Sequence, residues 1–218
     1  MDNKIFINSE IQGPYVANIN ALWQETYYSK LGEKIIDSKR FPYIEGYKEG
    51  AHLLLKKSIG NPHKDFYIYP IVFMYRQYLE LMLKNFYFLY EEDENKRKDF
   101  IKNVGHSLEK IFEKCKPLIE SYYLEYKLTN AKSLLKFDRE ISDIYIEGKN
   151  PDKVISIDEM ESFIKEFNDE DPKSFIFRYD FNKDLTKTIV SSKSIELREL
   201  YMMIERIDEC FFVTYNGM

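Results

Sequence analysis

Apolar residues recur along most of this chain with the spacing of helices that bury one side. A first helix is predicted from about Tyr15 to Lys30, and Gly32 and the Phe41-Pro42 pair mark the connection after it. A second covers Tyr43 to Lys57, with Leu53, Leu54 and Leu55 turned inward. Gly60-Asn61-Pro62 ends it, supplying a flexible residue and then one that lacks the helical donor. From Phe66 to Tyr90 apolar groups surround almost the whole helical circumference, which marks a buried helix. Pro70 is tolerated there if it lies in the first turn, where its missing N–H costs nothing. Glu91 to Arg97 is a charged break and predicts an exposed loop.

Beyond the break, His106 to Ile119 reads as a helix, with Leu108, Ile111, Phe112 and Cys115 on one face and Pro117 set to kink or shorten it. A further helix follows from about Glu120 to Tyr145 and stops at Gly148-Lys149-Asn150-Pro151. Ser156 or Asp158 caps a short helix through Phe167. The pattern then changes. Ser174 to Tyr179 and Thr186 to Val190 favour extended structure, and Asn182-Lys183-Asp184 is turn material, which predicts a small hairpin over about 174–190. A last amphipathic helix runs from Ser194 to about Phe212, with Leu197, Leu200, Tyr201, Ile204, Ile207 and Phe211 facing inward. The fold class is mainly α, a helical bundle in one domain over 1–218, with N-terminal helices in 1–62. No repeat, low-complexity tract or Gly/Ser linker divides it.

Composition narrows the function. The chain has 218 residues, 44% hydrophobic and 32% charged, with a net charge of −5. Phosphate neutralisation supplies most non-specific affinity for nucleic acid, so an acidic chain is no general nucleic-acid coat, and any RNA contact is a local patch. Two cysteines, Cys115 and Cys210, cannot form a disulfide framework and lack C-x-x-C spacing. The start, Met1-Asp2-Asn3-Lys4, lacks the basic region and apolar run of a secretory signal. Arg76, Glu80 and Lys84 interrupt the longest apolar stretch, which argues against a membrane span. A cytoplasmic location is expected, with no membrane contact. His52 and His63 have no ligand spacing, and the loops that cradle nucleotide phosphates and the serine-hydrolase elbow are missing. Neither metal nor cofactor is therefore expected.

Three groups of residues could carry chemistry. Arg76, Glu80 and Lys84 stand at i, i+4 and i+8, one polar line on an otherwise apolar helix. The line is either a solvent strip with alternating ion pairs or a polar cleft built into the core, where an Arg–Glu pair positions phosphate or a partner. His106, in Gly105-His106-Ser107-Leu108, stands at a helix start and serves either to position that helix or as a general acid/base. Arg178-Tyr179-Asp180 either binds an anion or anchors the hairpin to the helices.

Taken in order, the three groups form a longer pattern. Tyr-Pro-x-x-x-x-Tyr-Arg-x-x-x-Glu-x-x-Leu-Lys runs from Tyr69 to Lys84, Gly-His-Ser-Leu-x-x-x-Phe from Gly105 to Phe112, and Phe-Arg-Tyr-Asp from Phe177 to Asp180. This resembles HEPN-like domains, whose members often show a His-Asp-Leu helix start and an Arg-Tyr-Pro segment. The resemblance covers roughly Asp65 to Phe212. It implies an up-and-down helical core, a homodimer, and a place among bacterial toxins, antitoxins and phage-defence proteins, with a protein partner or RNA as ligand.

Many members of that family are metal-independent ribonucleases, in which an Arg is followed by a His after four to six residues. Here the spacing is missing: Arg97 and His106 have eight residues between them, Ser107 replaces the usual Asp, and Asp180 stands where Pro is common. The expectation is therefore a binding or regulatory module, with Lys84, Arg178, Tyr179 and Asp180 as binding residues. The alternative is a divergent ribonuclease that assembles Arg76, Glu80 and His106 from separate helices. There the His would move a proton and the Arg would steady the phosphorane charge. A purely structural helical scaffold is the third reading.

Overall fold

The computed structural model describes residues 41–129, 155–189 and 194–216. Six α-helices lie within them: α1 (Phe41–Ser58), α2 (Ile68–Tyr90), α3 (Glu94–Val104), α4 (Leu108–Thr129), α5 (Ile157–Glu170) and α6 (Leu197–Asn216). A short 3-10 turn, Lys64–Phe66, precedes α2. The helix expected over Tyr15–Lys30, the continuation of the Glu120 helix past residue 129 and its stop at Gly148–Pro151 lie outside the described residues. None of the described helices is long and apolar enough to cross a membrane.

The apolar circumference of α2 places it at the centre. Ile71, Tyr75, Tyr78, Leu79, Leu83 and Phe86 are all buried. One side of α2 packs along α1 and another on α4, and α4 in turn packs on α5 and α6. From α6, Leu200, Tyr201, Ile204, Ile207 and Phe211 close the same core. Pro70 sits in the first turn of α2, as its chemistry requires. Pro117, by contrast, stops nothing: α4 continues through it to Thr129, so the helix expected to end at Ile119 and the start of the one expected from Glu120 are continuous. The lost hydrogen bond is outweighed because Phe112, Cys115 and Ile119, before and after the proline, enter one core.

Two expectations are corrected. The charged break is shorter than the composition suggests, because Glu94 to Arg97 is already the first turn of α3. Asp93 caps that helix, its side chain accepting from the amides of Asn95 at 2.8 Å and Lys96 at 3.3 Å. Arg97 turns back to donate to the carbonyls of Phe88 at 2.6 Å and Glu91, which covers the open end of α2. Phe100 then stacks on Tyr87 with ring centroids 3.9 Å apart. The second correction concerns the first strand expected in the hairpin. Ser174 to Tyr179 is turn rather than strand, because the Asp171 carboxylate accepts from the amides of Phe175 and Ile176 and bends the chain around itself. A single antiparallel bridge, Phe181–Lys187, is the one strand-like pairing among the described residues.

The α3–α4 turn depends on one glycine. Gly105 closes α3 at φ 55° and ψ −118°, a conformation that L side chains rarely adopt. A Cβ added there meets no atom within 4 Å, so its cost is backbone strain alone. We expect Gly105→Ala to destabilise the chain by about 1–3 kcal/mol. Gly46→Ala, in open space on helix α1, should move stability the other way by a few tenths to about 1 kcal/mol. Urea denaturation of both variants checks the pair; equal effects would show that the turn geometry is not what Gly105 supplies.

Candidate functional site

The period of α2 puts Arg76, Glu80 and Lys84 in one line, and the fold buries that line. Arg76 is 0% exposed and Glu80 3%, and the Lys84 side chain is 15% exposed. Of the two readings of the stripe, the solvent strip is excluded. Two backbone segments face it: the α3–α4 turn at Gly105-His106, and the chain leaving α5 at Asp171.

Every nitrogen of the Arg76 guanidinium is engaged. Nη2 donates to the carbonyl of His106 at 2.6 Å, Nε to the carbonyl of Asp171 at 3.0 Å, and Nη1 to Glu80 Oε2 at 3.1 Å. The Asp171 carboxylate lies 3.7 Å from Nε and completes the charge balance. Burial lowers the guanidinium's affinity for its proton, and the Asp171 and Glu80 charges oppose that effect without cancelling it. Buried ion pairs persist only where hydrogen bonds satisfy both partners, and here backbone acceptors supply them.

Glu80 is the hub. Its Oε1 accepts from Lys84 Nζ at 2.8 Å and lies 2.8 Å from His106 Nδ1, while Lys84 also donates to the Gly105 carbonyl at 2.7 Å. Burial works to raise the Glu80 carboxyl, but hydrogen bonds and charge from Lys84 and His106 outweigh it and hold the group below the usual carboxylate range. An ionised Glu80 only accepts, so Nδ1 of His106 carries a proton, and in the neutral ring the lone pair lies on Nε2. The His106 side chain is 62% exposed. A carboxylate-oriented histidine open to solvent is competent to move a proton. The cation beside it is not competent to hold a phosphate, since Arg76 has no exposed surface and each of its nitrogens already donates within the core.

Ser107 caps α4, accepting from the amide of Lys110 at 3.3 Å, and donates to Asn168 of α5 at 3.1 Å. Buried Asn168 also accepts from the Glu109 amide and donates to its carboxylate, tying α5 to the start of α4. Neither Asn168 nor Asp171 stands out in the sequence. The only signal for Asp171 is the Asp171-Pro172 pair, which favours a turn.

Arg178 and Tyr179 form a separate patch. The Arg178 guanidinium lies 5.6 Å from the Phe73 ring centroid and 5.5 Å from that of Tyr179, which is 51% exposed. A cavity of about 630 Å³ opens here, with Tyr69, Phe181 and Lys187 also on its wall. Asp180 accepts from the Thr188 amide through its carbonyl at 3.0 Å. Among the described residues no hydrogen bond or ion pair joins Arg178, Tyr179 or Asp180 to the Arg76–Glu80–Lys84–His106 group.

Another buried polar cluster, invisible to any motif, occupies the junction of α1, α2 and α6. Lys48 lies 2.9 Å from Glu45 and 2.7 Å from Asp208, and Tyr78 donates to Asp208. His52 Nε2 lies 3.3 Å from Glu205, with its ring edge-on to Tyr75 and Tyr201. Burial, then the neighbouring Asp208 charge, push the Glu205 carboxyl up to about 7. Compared with known proteins, the chain matches no family model, no curated protein and no solved structure.

Proposed function

We propose that this chain is a HEPN-like binding or regulatory module of a bacterial defence or toxin–antitoxin system, acting as a homodimer through a protein partner rather than by cutting RNA. The observation that carries the non-catalytic reading is the state of Arg76. A ribonuclease of that family needs a guanidinium that reaches the phosphate, and this one is wholly buried and bonded to two backbone carbonyls and a carboxylate. The HEPN-like reading itself rests on the motif order from Tyr69 to Asp180, and the dimer on the same resemblance.

One observation favours a second reading, a divergent metal-independent ribonuclease built on Arg76, Glu80 and His106. The His106–Glu80 contact of 2.8 Å has the form of a base oriented by a carboxylate. In that case Glu80 and Arg76 position the turn, and Lys84 or Arg178 must supply the cation.

The test is incubation of purified protein with a mixed cellular RNA pool in EDTA, beside His106→Ala. His106 is the informative position because its exposed ring can be removed while its carbonyl continues to accept from Arg76. We expect intact RNA over a wide protein range, and unimpaired growth when the chain is expressed alone. Cleavage that His106→Ala abolishes, with helical content unchanged, would establish the ribonuclease instead.

A further inference from the structure

A groove of about 590 Å³ lies between α5 and the start of α6. Phe163, Phe167, Phe177, Leu200 and Met203 supply apolar wall, and Phe163 and Phe167 meet edge to face at 5.1 Å. The α5 side repeats at helical spacing: Glu159, Phe163, Glu166 and Glu170 fall on one face, so the wall is apolar and its margin anionic. Asp158 extends that margin, and Glu196 and Glu199 mirror it across the groove.

No Lys or Arg occurs among the described residues that line the groove. Arg206 reaches Glu159 from outside the lining at 3.4 Å, and Arg198 reaches Glu196 at 3.3 Å. Asp158 and Glu166 are exposed and make neither hydrogen bond nor ion pair among the described residues. Six carboxylates thus stand against no basic residue of the lining itself, and two of them, Asp158 and Glu166, leave the rim acidic. Such a field repels nucleic acid and anionic lipid surfaces alike. It attracts a cationic ligand, and the apolar wall demands that the ligand also bring apolar groups.

From these features we infer that the groove is a docking site for a basic amphipathic helix of a protein partner. Apolar side chains at i, i+3/i+4 and i+7 would enter between α5 and α6, and flanking Lys or Arg would meet the rim. The 14 residues of α5 span roughly 21 Å, the length of a helical ligand of about four turns lying alongside it. The inference rests on the binding-module reading above and names its partner class.

The probe is a fluorescent 14-residue Leu/Lys peptide with one apolar face, titrated against the full chain by anisotropy. Two control peptides accompany it, one of the same composition in shuffled order and one Leu/Glu counterpart. We expect micromolar binding of the amphipathic cationic peptide alone, weakened about tenfold by Glu166→Lys at the exposed rim and by Phe163→Ala on the wall. Circular dichroism verifies that both variants fold. Equal binding of the shuffled peptide would reduce the groove to a charged patch and overturn the proposal, as would variants that bind like the wild type or a chain that binds none of the peptides. Failure here with RNA left intact removes only the docking site. Failure here together with His106-dependent cleavage removes the binding-module reading as well.

Discussion

Replacing Arg76 by alanine should cost about 3–5 kcal/mol of folding stability, the range for breaking a buried ion pair by removing one partner. The substitution strands three groups at once. The carbonyls of His106 and Asp171 lose their donor, and the second carboxylate oxygen of Asp171, buried with no hydrogen bond, loses the cation 3.7 Å away. Glu80 suffers less, because Lys84 and His106 still hold it. Arg76→Lys should recover only a minor part, since an ammonium is a point charge and cannot reproduce the planar fork that reaches three acceptors. His106→Ala should cost about 1 kcal/mol or less, because the ring is exposed and the carbonyl that Arg76 uses remains. Urea denaturation followed by circular dichroism separates these values. A loss below about 1 kcal/mol for Arg76→Ala would show that the clamp does not hold the α3–α4 turn to α2. The magnitude also means that loss of activity in an Arg76 variant reports unfolding before it reports chemistry.

Glu205 sets the second large effect, and its sign is opposite to that of most carboxylates. Its folded pKa is pushed up to about 7 from an ordinary value of 4.5, so between those limits the folded chain binds more protons than the unfolded one. Stability contributed through this group therefore falls as pH rises from 4.5 to 7 and levels off above that. At roughly 1.4 kcal/mol per unit, ionised Glu205 costs the fold about 3 kcal/mol at pH 8. Glu205→Gln removes the charge and keeps the shape. It should be close to neutral near pH 5 and stabilising by about 2–3 kcal/mol at pH 8, where wild-type Glu205 is forced to ionise beside Asp208. Unfolding free energies of both proteins across that window give the answer, and parallel curves would sink the assignment.

Much of the helical skeleton was legible because it is written in local pattern. The all-round apolar run of α2, the inner face of α6 and the cap of α5, which the structure assigns to Ser156 of the two candidates, each depend on residues close in sequence. The break before α3 was overextended because its run of charged residues masks a capping signal, Asp93 followed by Glu94, that propensity alone does not register. The first strand expected in the hairpin failed for a different reason. Ser-Phe-Ile-Phe-Arg-Tyr has strand composition, yet a buried aspartate before it captures the amides that a strand would offer to a neighbour. The stripe on α2 was visible as a line, but its burial was not, since Asp171 and His106 reach it from other parts of the chain. The Glu205 cluster was wholly illegible, because no two of α1, α2 and α6 are informative without their packing.

The guanidinium at the centre of the fold also has a history during synthesis. Arg76 must wait for Asp171, 95 residues further along the chain, before its last acceptor exists. At ribosomal speeds of about 5–20 residues per second, that is a delay of roughly 5–20 s. During that interval Arg76 has Glu80 as its charge partner but lacks the Asp171 acceptor, and α2 carries an apolar surface it cannot yet fully cover. The nascent chain is therefore most exposed to aggregation and to chaperone capture after its central helix has been made and before α5 has left the ribosome.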